Sequence, residues 1–131
     1  MAEDIVWTFH GYITPGGTRD VQQWFDGLED DAKDAIRDAL AYLQHVPHSQ
    51  WRKPEFEPLG KGLSEVRAKA HELQHWYRIY GFFWPEGRRY VYTFLLGHNK
   101  KERNPRHEIS EARKRMGSVE TGIAGIHEFN F

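Results

Sequence analysis

The sequence predicts an α+β domain, with two N-terminal helices and a C-terminal helix packed on a mostly antiparallel, curved sheet of about four strands. Three observations predict this class: a β-type alternation near the start, two amphipathic helical segments after it, and three consecutive strand-like segments in the second half. Consecutive strands favour antiparallel pairing with helices on one side, rather than an alternating α/β pattern. At 131 residues the chain has the size of one domain.

The first strand and first helix are predicted from the change of apolar period near the N-terminus. In residues 5–10, IVWTFH, bulky side chains occupy every second position, and the run ends at TPGG of residues 14–17. In residues 21–28 the apolar positions recur at i, i+3, i+4 and i+7. Asp20, with Gln23 three positions later, resembles a capping box at the start of this helix.

The second helix is predicted to begin at Asp30 and Asp31, whose carboxylates suit the positive N-terminal end of a helix. Its apolar face is formed by Ala32, Ala35, Ile36, Ala39, Leu40 and Leu43. We expect the two helices to form a hairpin against the sheet. Residues 47–58 carry three prolines and few periodic positions, so they are predicted to be a surface connection.

Three consecutive strands are predicted in residues 63–69, 75–83 and 89–96, with a turn at residues 85–88, PEGR, between the last two. These strands form a meander. The first strand of the chain is expected to join it as an edge strand or as a parallel neighbour.

A third helix is predicted from Asn104 as N-cap and Pro105 as first helical residue to a stop at Gly117. The domain is therefore placed in residues 1–117. Residues 118–131 form a C-terminal tail, either a docked strand or a disordered segment.

The composition excludes several classes of protein. There are no cysteines, so disulfides, thiolate metal sites and thiol nucleophiles are excluded. No basic-then-apolar leader and no run long enough to span a bilayer are present, and a cytoplasmic protein is expected. The net charge is −1, but residues 1–50 carry 3 Lys and Arg against 9 Asp and Glu, whereas residues 51–116 carry 15 against 8. The basic back half is able to attract polyanions.

Two arginines on neighbouring strands are the first candidate site residues. If the turn between the strands centres between Glu72 and Leu73, Arg67 and Arg78 lie directly opposite each other. Adjacent like charges are unfavourable unless an anion separates them, so either Glu65 or Glu72 pairs with them or they form a phosphate clamp. The aromatic residues nearby, of which one or two are expected to be exposed for stacking on bases, are Trp76, Tyr77, Tyr80, Tyr90 and Tyr92.

The segment after the last strand, GHNKKERNPRHE, adds the second group of candidates. It contains Lys100, Lys101, His98 and His107, and His107 is expected near a helix N-terminus, which favours anions and a neutral imidazole. No HExxH metal motif and no GxxxxGK[ST] phosphate loop occur. Basic residues with an imidazole and no metal suit cleavage of RNA through its own 2′-hydroxyl.

An ordered series of motifs resembles the RelE/ParE toxin superfamily, in particular its HigB-like, phage-derived branch. The series is PLGKGLSEVRAK, HWYRIYGF, YVYTFLLGHNKKERNP and EISEARKR, and the resemblance covers residues 6–116. It implies the toxin of a type II toxin–antitoxin system, a metal-independent messenger endonuclease that acts in the ribosomal A site. It further implies no cofactor, a helix-turn-helix antitoxin as partner, and a toxin–antitoxin heterotetramer as one assembly.

The resemblance also implies roles for individual residues. Arg67 and Arg78 contact the scissile phosphate, Lys101 is the basic residue after the last strand, and His107 or His98 is the general acid. Further substrate contacts are expected from Lys61, Lys69, Lys100 and Arg103. Glu65 departs from relatives that carry a lysine there, which subtracts positive charge from the cleft.

Two other functions remain open on the sequence. The same fold is compatible with a ParE-like inhibitor that binds DNA gyrase without catalysing a reaction, or with an inactive RelE-fold binding module. The basic residues together with the histidines favour the endonuclease.

Overall fold

The computed structural model describes residues 4–70, 75–99 and 105–131. Within them lies one mixed sheet of six strands in the order β2-β3-β4-β5-β1-β6. The strands are β1 Thr8–Ile13, β2 Phe56–Gly60, β3 Leu63–Ala70, β4 His75–Phe82, β5 Val91–His98 and β6 Gly125–Glu128. The helices are α1 Asp20–Asp26, α2 Asp30–Gln44 and α3 Arg106–Glu120, with a short 3₁₀ turn at His48–Gln50. None of these helices has the length and apolar character that a membrane span requires.

The predicted meander is confirmed, because β3, β4 and β5 pair antiparallel in succession. Arg88 N–H donates to Pro85 O at 3.4 Å in the predicted turn. The first strand is a parallel neighbour, since β1 pairs with β5 in parallel register. Its range is Thr8–Ile13, later than the predicted residues 5–10.

The prediction of about four strands was wrong, and both missed strands lie at sheet edges. β2 lies within and just after the stretch predicted to be a surface connection, where Phe56 and Trp51 are in fact buried. Pro58 argued against a strand here, because proline has no N–H to donate to a neighbouring strand. On an edge strand that hydrogen bond is not required, so proline is tolerated there. β6 comes from the C-terminal tail and pairs antiparallel with β1. Of the two alternatives predicted for the tail, this is the docked strand.

The helix ends also differ from prediction. Asp20 is the first residue of α1 rather than its cap, and Arg19 at the cap position makes no side-chain hydrogen bond to the helix. α3 begins after Pro105 and continues through Gly117, and Gly122, with φ of 80°, follows its end. Glycine adopts this left-handed conformation without a side-chain clash, so Gly122 marks the helix end that was assigned to Gly117.

The helices occupy both faces of the sheet, not one. A Cβ at Gly97 would overlap the Trp24 ring of α1, whereas the next residue, His98, contacts Glu108 of α3. Since successive strand residues point to opposite faces, α1 and α3 cover opposite faces at this end of β5. The side chains of Phe9, Phe94 and Phe129 pack in the core beside α1.

Candidate functional site

The sheet register brings three of the predicted site residues into one row. Arg67 of β3 lies opposite Arg78 of β4, as the predicted turn position required. Arg78 lies in turn opposite His98 of β5. Residues paired in this way point to the same face of a sheet, so two cations and an imidazole lie side by side on the α3 face.

Two carboxylates offset the charge of Arg67. Its Nη2 lies 2.6 Å from Glu57 Oε2, and its Nε lies 3.3 Å from Glu65 Oε1. Of the alternatives that the sequence left open, pairing with Glu65 is present at Arg67, while Glu72 lies outside the described residues. Glu57, which also lies 3.3 Å from Lys53 Nζ, was missed because it belongs to the unpredicted strand β2. Arg67 is consequently held by the protein itself, with its side chain only 18% exposed.

Glu65 is buried between the two arginines. Burial raises the pKa of its carboxyl above the usual value, and the positive charges of Arg78 and Arg67 only partly oppose that rise. Desolvation therefore outweighs ion pairing at this carboxyl.

Arg78 is paired differently from Arg67. It forms no salt bridge within the described part of the chain, whereas Arg67 contacts two carboxylates. The buried Nε of each arginine lacks a hydrogen-bond acceptor among the described residues. A buried donor left without an acceptor costs about 1–3 kcal/mol, so each such group calls for an explanation. Arg78 is thus the arginine of the row that has no carboxylate of the described chain at salt-bridge distance.

A second row of residues lies beside the first. Tyr80 is opposite Glu65, and its hydroxyl is buried. Burial raises the pKa of Tyr80 to about 12, and the negative charge of Glu65 adds to the rise, while Arg78 opposes it. Tyr80 therefore stays a neutral phenol at physiological pH. The sequence pattern indicated Tyr80 only as one of several aromatic residues for stacking on bases, although its pairing with Glu65 follows from the same turn position that paired the arginines.

Helix α3 brings a further carboxylate, Glu108, onto this cluster. Glu108 Oε1 lies 3.7 Å from His98 Nδ1, and Glu108 Oε2 is buried with no hydrogen-bond partner among the described residues. Glu108 is not among the site residues predicted from the sequence, although it immediately follows His107 at the predicted start of α3.

The two histidines differ in access to solvent. His98 is 6% exposed and lies between the sheet and α3. His107 is exposed in the first turn of α3, as expected from the helix prediction. Only His107 is therefore accessible to a ligand without movement of α3.

The remaining predicted contacts are scattered or lie outside the described residues. Lys61 is exposed in the turn between β2 and β3, with φ of 51°. Lys69 is exposed at the far end of β3, where its Nζ lies 5.8 Å from the Trp76 ring centre. Lys100, Lys101 and Arg103 fall outside the described residues.

Of the aromatic residues that were considered for stacking, one is exposed. Trp76 is 37% exposed, whereas Tyr77, Tyr80 and Tyr92 are buried and Tyr90 is partly buried. This agrees with the expectation of one or two exposed rings.

Comparison with known proteins gives one informative match. The family model described as "Phage derived protein Gp49-like (DUF891)" matches residues 23–117. The matched range begins in α1 and ends in α3, so it includes the whole row of Arg67, Arg78 and His98. No curated protein and no solved structure matches the chain.

Proposed function

The chain belongs to the Gp49-like family of phage-derived proteins, a family of the RelE toxin type, and from this premise we propose that it is a ribosome-dependent messenger endonuclease. As a HigB-like toxin of a type II system it would be held inactive by a helix-turn-helix antitoxin, with a heterotetramer as one assembly. The observation that carries the proposal is Arg78, a partly buried guanidinium without a salt bridge in the described chain, between Arg67 and His98.

The proposed reaction needs no metal and no cofactor. The 2′-hydroxyl oxygen of a nucleotide attacks the adjacent phosphorus and loses its proton to solvent water. The bond from phosphorus to the 5′-oxygen of the next nucleotide breaks, and that oxygen gains a proton. The products are a 2′,3′-cyclic phosphate and a 5′-hydroxyl. Arg78 stabilises the extra negative charge of the transition state, where a preorganised cation is most effective. Lys101, with Lys100 and Arg103, is proposed to extend this positive surface along the messenger.

We assign proton transfer to His107 in preference to His98. His107 is exposed in the first turn of α3, so its imidazole is able to protonate the leaving 5′-oxygen. His98 is buried against Glu108, and we assign it the positioning of Arg78 and α3.

One observation favours the second candidate function, a ParE-like inhibitor of DNA gyrase that performs no catalysis. Glu57 and Glu65 neutralise one of the two arginines, so the row carries less positive charge than a clamp of two free arginines would. An inactive binding module with the same fold would show the same pairing.

Two assays in parallel separate these functions. The first measures cleavage of one messenger, free in solution and engaged with ribosomes, and the second measures supercoiling by DNA gyrase. Cleavage only of the ribosome-engaged messenger supports the proposal. An intact messenger together with inhibited supercoiling contradicts it and establishes the gyrase inhibitor.

A further inference from the structure

A groove of about 510 Å³ separates α2 from the end of β3 and the start of β4. Its apolar lining is made of small side chains, Ala35 and Ala39 of α2 and Ala68 and Ala70 of β3. At its sides lie two exposed aromatic residues, Tyr42, which is 49% exposed, and Trp76. Small apolar residues with aromatic rings beside them form a surface that other chains are able to pack against.

The α2 wall of this groove is acidic. Asp31, Asp34 and Asp38 line it and are exposed, and Glu55 lies nearby. Asp34 also contacts Arg37 at 3.2 Å, on a part of the helix surface where both side chains are largely in solvent. This wall belongs to the acidic front half of the sequence, which has no role in the proposed cleavage of RNA. The β3 side of the groove is lined by Lys69 and by Arg67, which is paired with Glu57 and Glu65. Carboxylates still outnumber cations in the lining, so the α2 wall would repel a phosphate backbone and attract a cationic partner.

The groove also contains a free strand edge. Pairing of β2 with β3 ends at Phe56 and Val66, and the last hydrogen bond on this edge runs from Arg67 N–H to Glu55 O at 2.7 Å. Backbone groups point to the same side at every second residue of a strand, so the N–H and C=O of Lys69 face the groove. No strand of the described chain lies beside β3 from Ala68 to Ala70.

We propose that this groove binds an extended, lysine- or arginine-containing segment of a partner polypeptide, which adds to the edge of β3 at Lys69. The main chain of the segment pairs with Lys69, its small aliphatic side chains contact the alanines, and its cations contact the aspartates of α2. Addition of a strand takes its affinity from main-chain hydrogen bonds and its selectivity from the alternate side chains. The inference goes beyond the proposed endonuclease and does not depend on cleavage of RNA.

The test uses three short synthetic peptides and the full chain labelled with ¹⁵N. The first peptide carries valine and lysine in turn at every second position, with serine between them, so that valine and lysine share the face toward α2. The second has glutamate in place of lysine, and the third is the first with N-methylated serines, which removes the donors that an antiparallel segment would give to Lys69. Binding is followed through the Lys69 amide and the Trp76 indole signals. We expect both signals to shift with the first peptide and neither to shift with the other two. Equal binding of either of those two, or no binding of the first, overturns the proposal.

Two double variants with equal changes of charge locate the contact. Asp31→Asn with Asp38→Asn removes two groove carboxylates, and Asp30→Asn with Glu120→Gln removes two exposed carboxylates elsewhere. Asp30 and Asp31 both lie in the first turn of α2, so each double variant loses one such favourable charge. The first double variant is expected to bind the lysine peptide about three to ten times more weakly, and the second to bind it like the parent chain. Equal losses in the two variants overturn the proposal.

Discussion

Two arginines that are equivalent in the sequence pattern have different surroundings in the fold. Arg67 contacts Glu57 and Glu65, whereas Arg78 influences Glu65 without forming a salt bridge in the described chain. Their positions opposite each other were predictable from one turn. The difference between their surroundings was not predictable, because Glu57 lies in β2, a strand that was not predicted on account of its proline.

The buried carboxyl of Glu65 predicts a definite dependence of stability on pH. Its pKa is raised in the folded chain, so the folded state binds the proton more tightly than the unfolded state does. The contribution of Glu65 to stability is therefore favourable at low pH and is lost as the pH rises above 4.5, the ordinary value, through the raised value.

The variant Glu65→Gln carries no titrating group at this position. The free energy of unfolding of the parent chain, minus that of Glu65→Gln, is expected to decrease from pH 4 to pH 7 in urea denaturation. Glu86→Gln, which changes an exposed carboxylate in the turn before β5, is the control, and no such trend is expected for it. A difference that increases with pH would show that the arginines outweigh burial at Glu65.

At the scale of elements, the two glycines Gly97 and Gly117 are expected to respond oppositely to alanine. A methyl group at Gly97 would overlap the Trp24 ring, so Gly97→Ala is expected to lower the free energy of unfolding by about 1–3 kcal/mol. At Gly117 the added methyl group would meet no atom within 4 Å other than its chain neighbours and the backbone of its own helix, and the residue lies inside α3. Gly117→Ala is expected to raise the free energy of unfolding by about 0.5–1 kcal/mol.

Thermal and urea denaturation of the two variants measure this difference. Destabilisation by Gly117→Ala would contradict the continuation of α3 to Glu120 and would favour the helix end predicted from the sequence. Unchanged stability of Gly97→Ala would contradict the close packing of α1 on β5.

The elements with a strong period were predictable, and those that depend on distant contacts were not. α2 follows from its apolar spacing and its acidic first turn, and the three meander strands follow from their strand-like composition and the turn at residues 85–88. β6 has only four residues, and it forms because β1 offers a free edge and Phe129 finds a buried site beside Phe25 and Phe94. The placement of α3 on the face opposite α1 likewise depends on which residue of β5 each helix contacts. No local sequence pattern predicts that contact.

For the whole molecule, the C-terminal segment is expected to contribute strongly to stability. Phe129 is 3% exposed, whereas Phe131, two residues later, is 38% exposed. Phe129→Ala is expected to lower the free energy of unfolding by about 3–5 kcal/mol, and Phe131→Ala by about 1 kcal/mol or less. Equally small effects of the two substitutions on the free energy of unfolding, measured in urea, would show that residues 118–131 are a tail that contributes little to stability.

The two halves of the charge distribution take different roles at this scale. The basic back half supplies the row of Arg67 and Arg78, and the acidic front half supplies the α2 wall of the groove. The endonuclease requires the first surface, and a cationic partner segment requires the second. The sequence showed that the charges are separated along the chain, and the fold is needed to show which surfaces they form.

The most direct test of the central claim is to map messenger 5′ ends in a reconstituted translation reaction. The chain, Arg78→Ala and Arg88→Ala are compared, since Arg88 is an exposed arginine in the turn before β5 and its loss changes the net charge equally. New 5′ ends at ribosome-engaged codons are expected with the chain and with Arg88→Ala, and none with folded Arg78→Ala. An intact messenger with the folded chain, or undiminished cleavage by Arg78→Ala, would contradict the role assigned to this arginine.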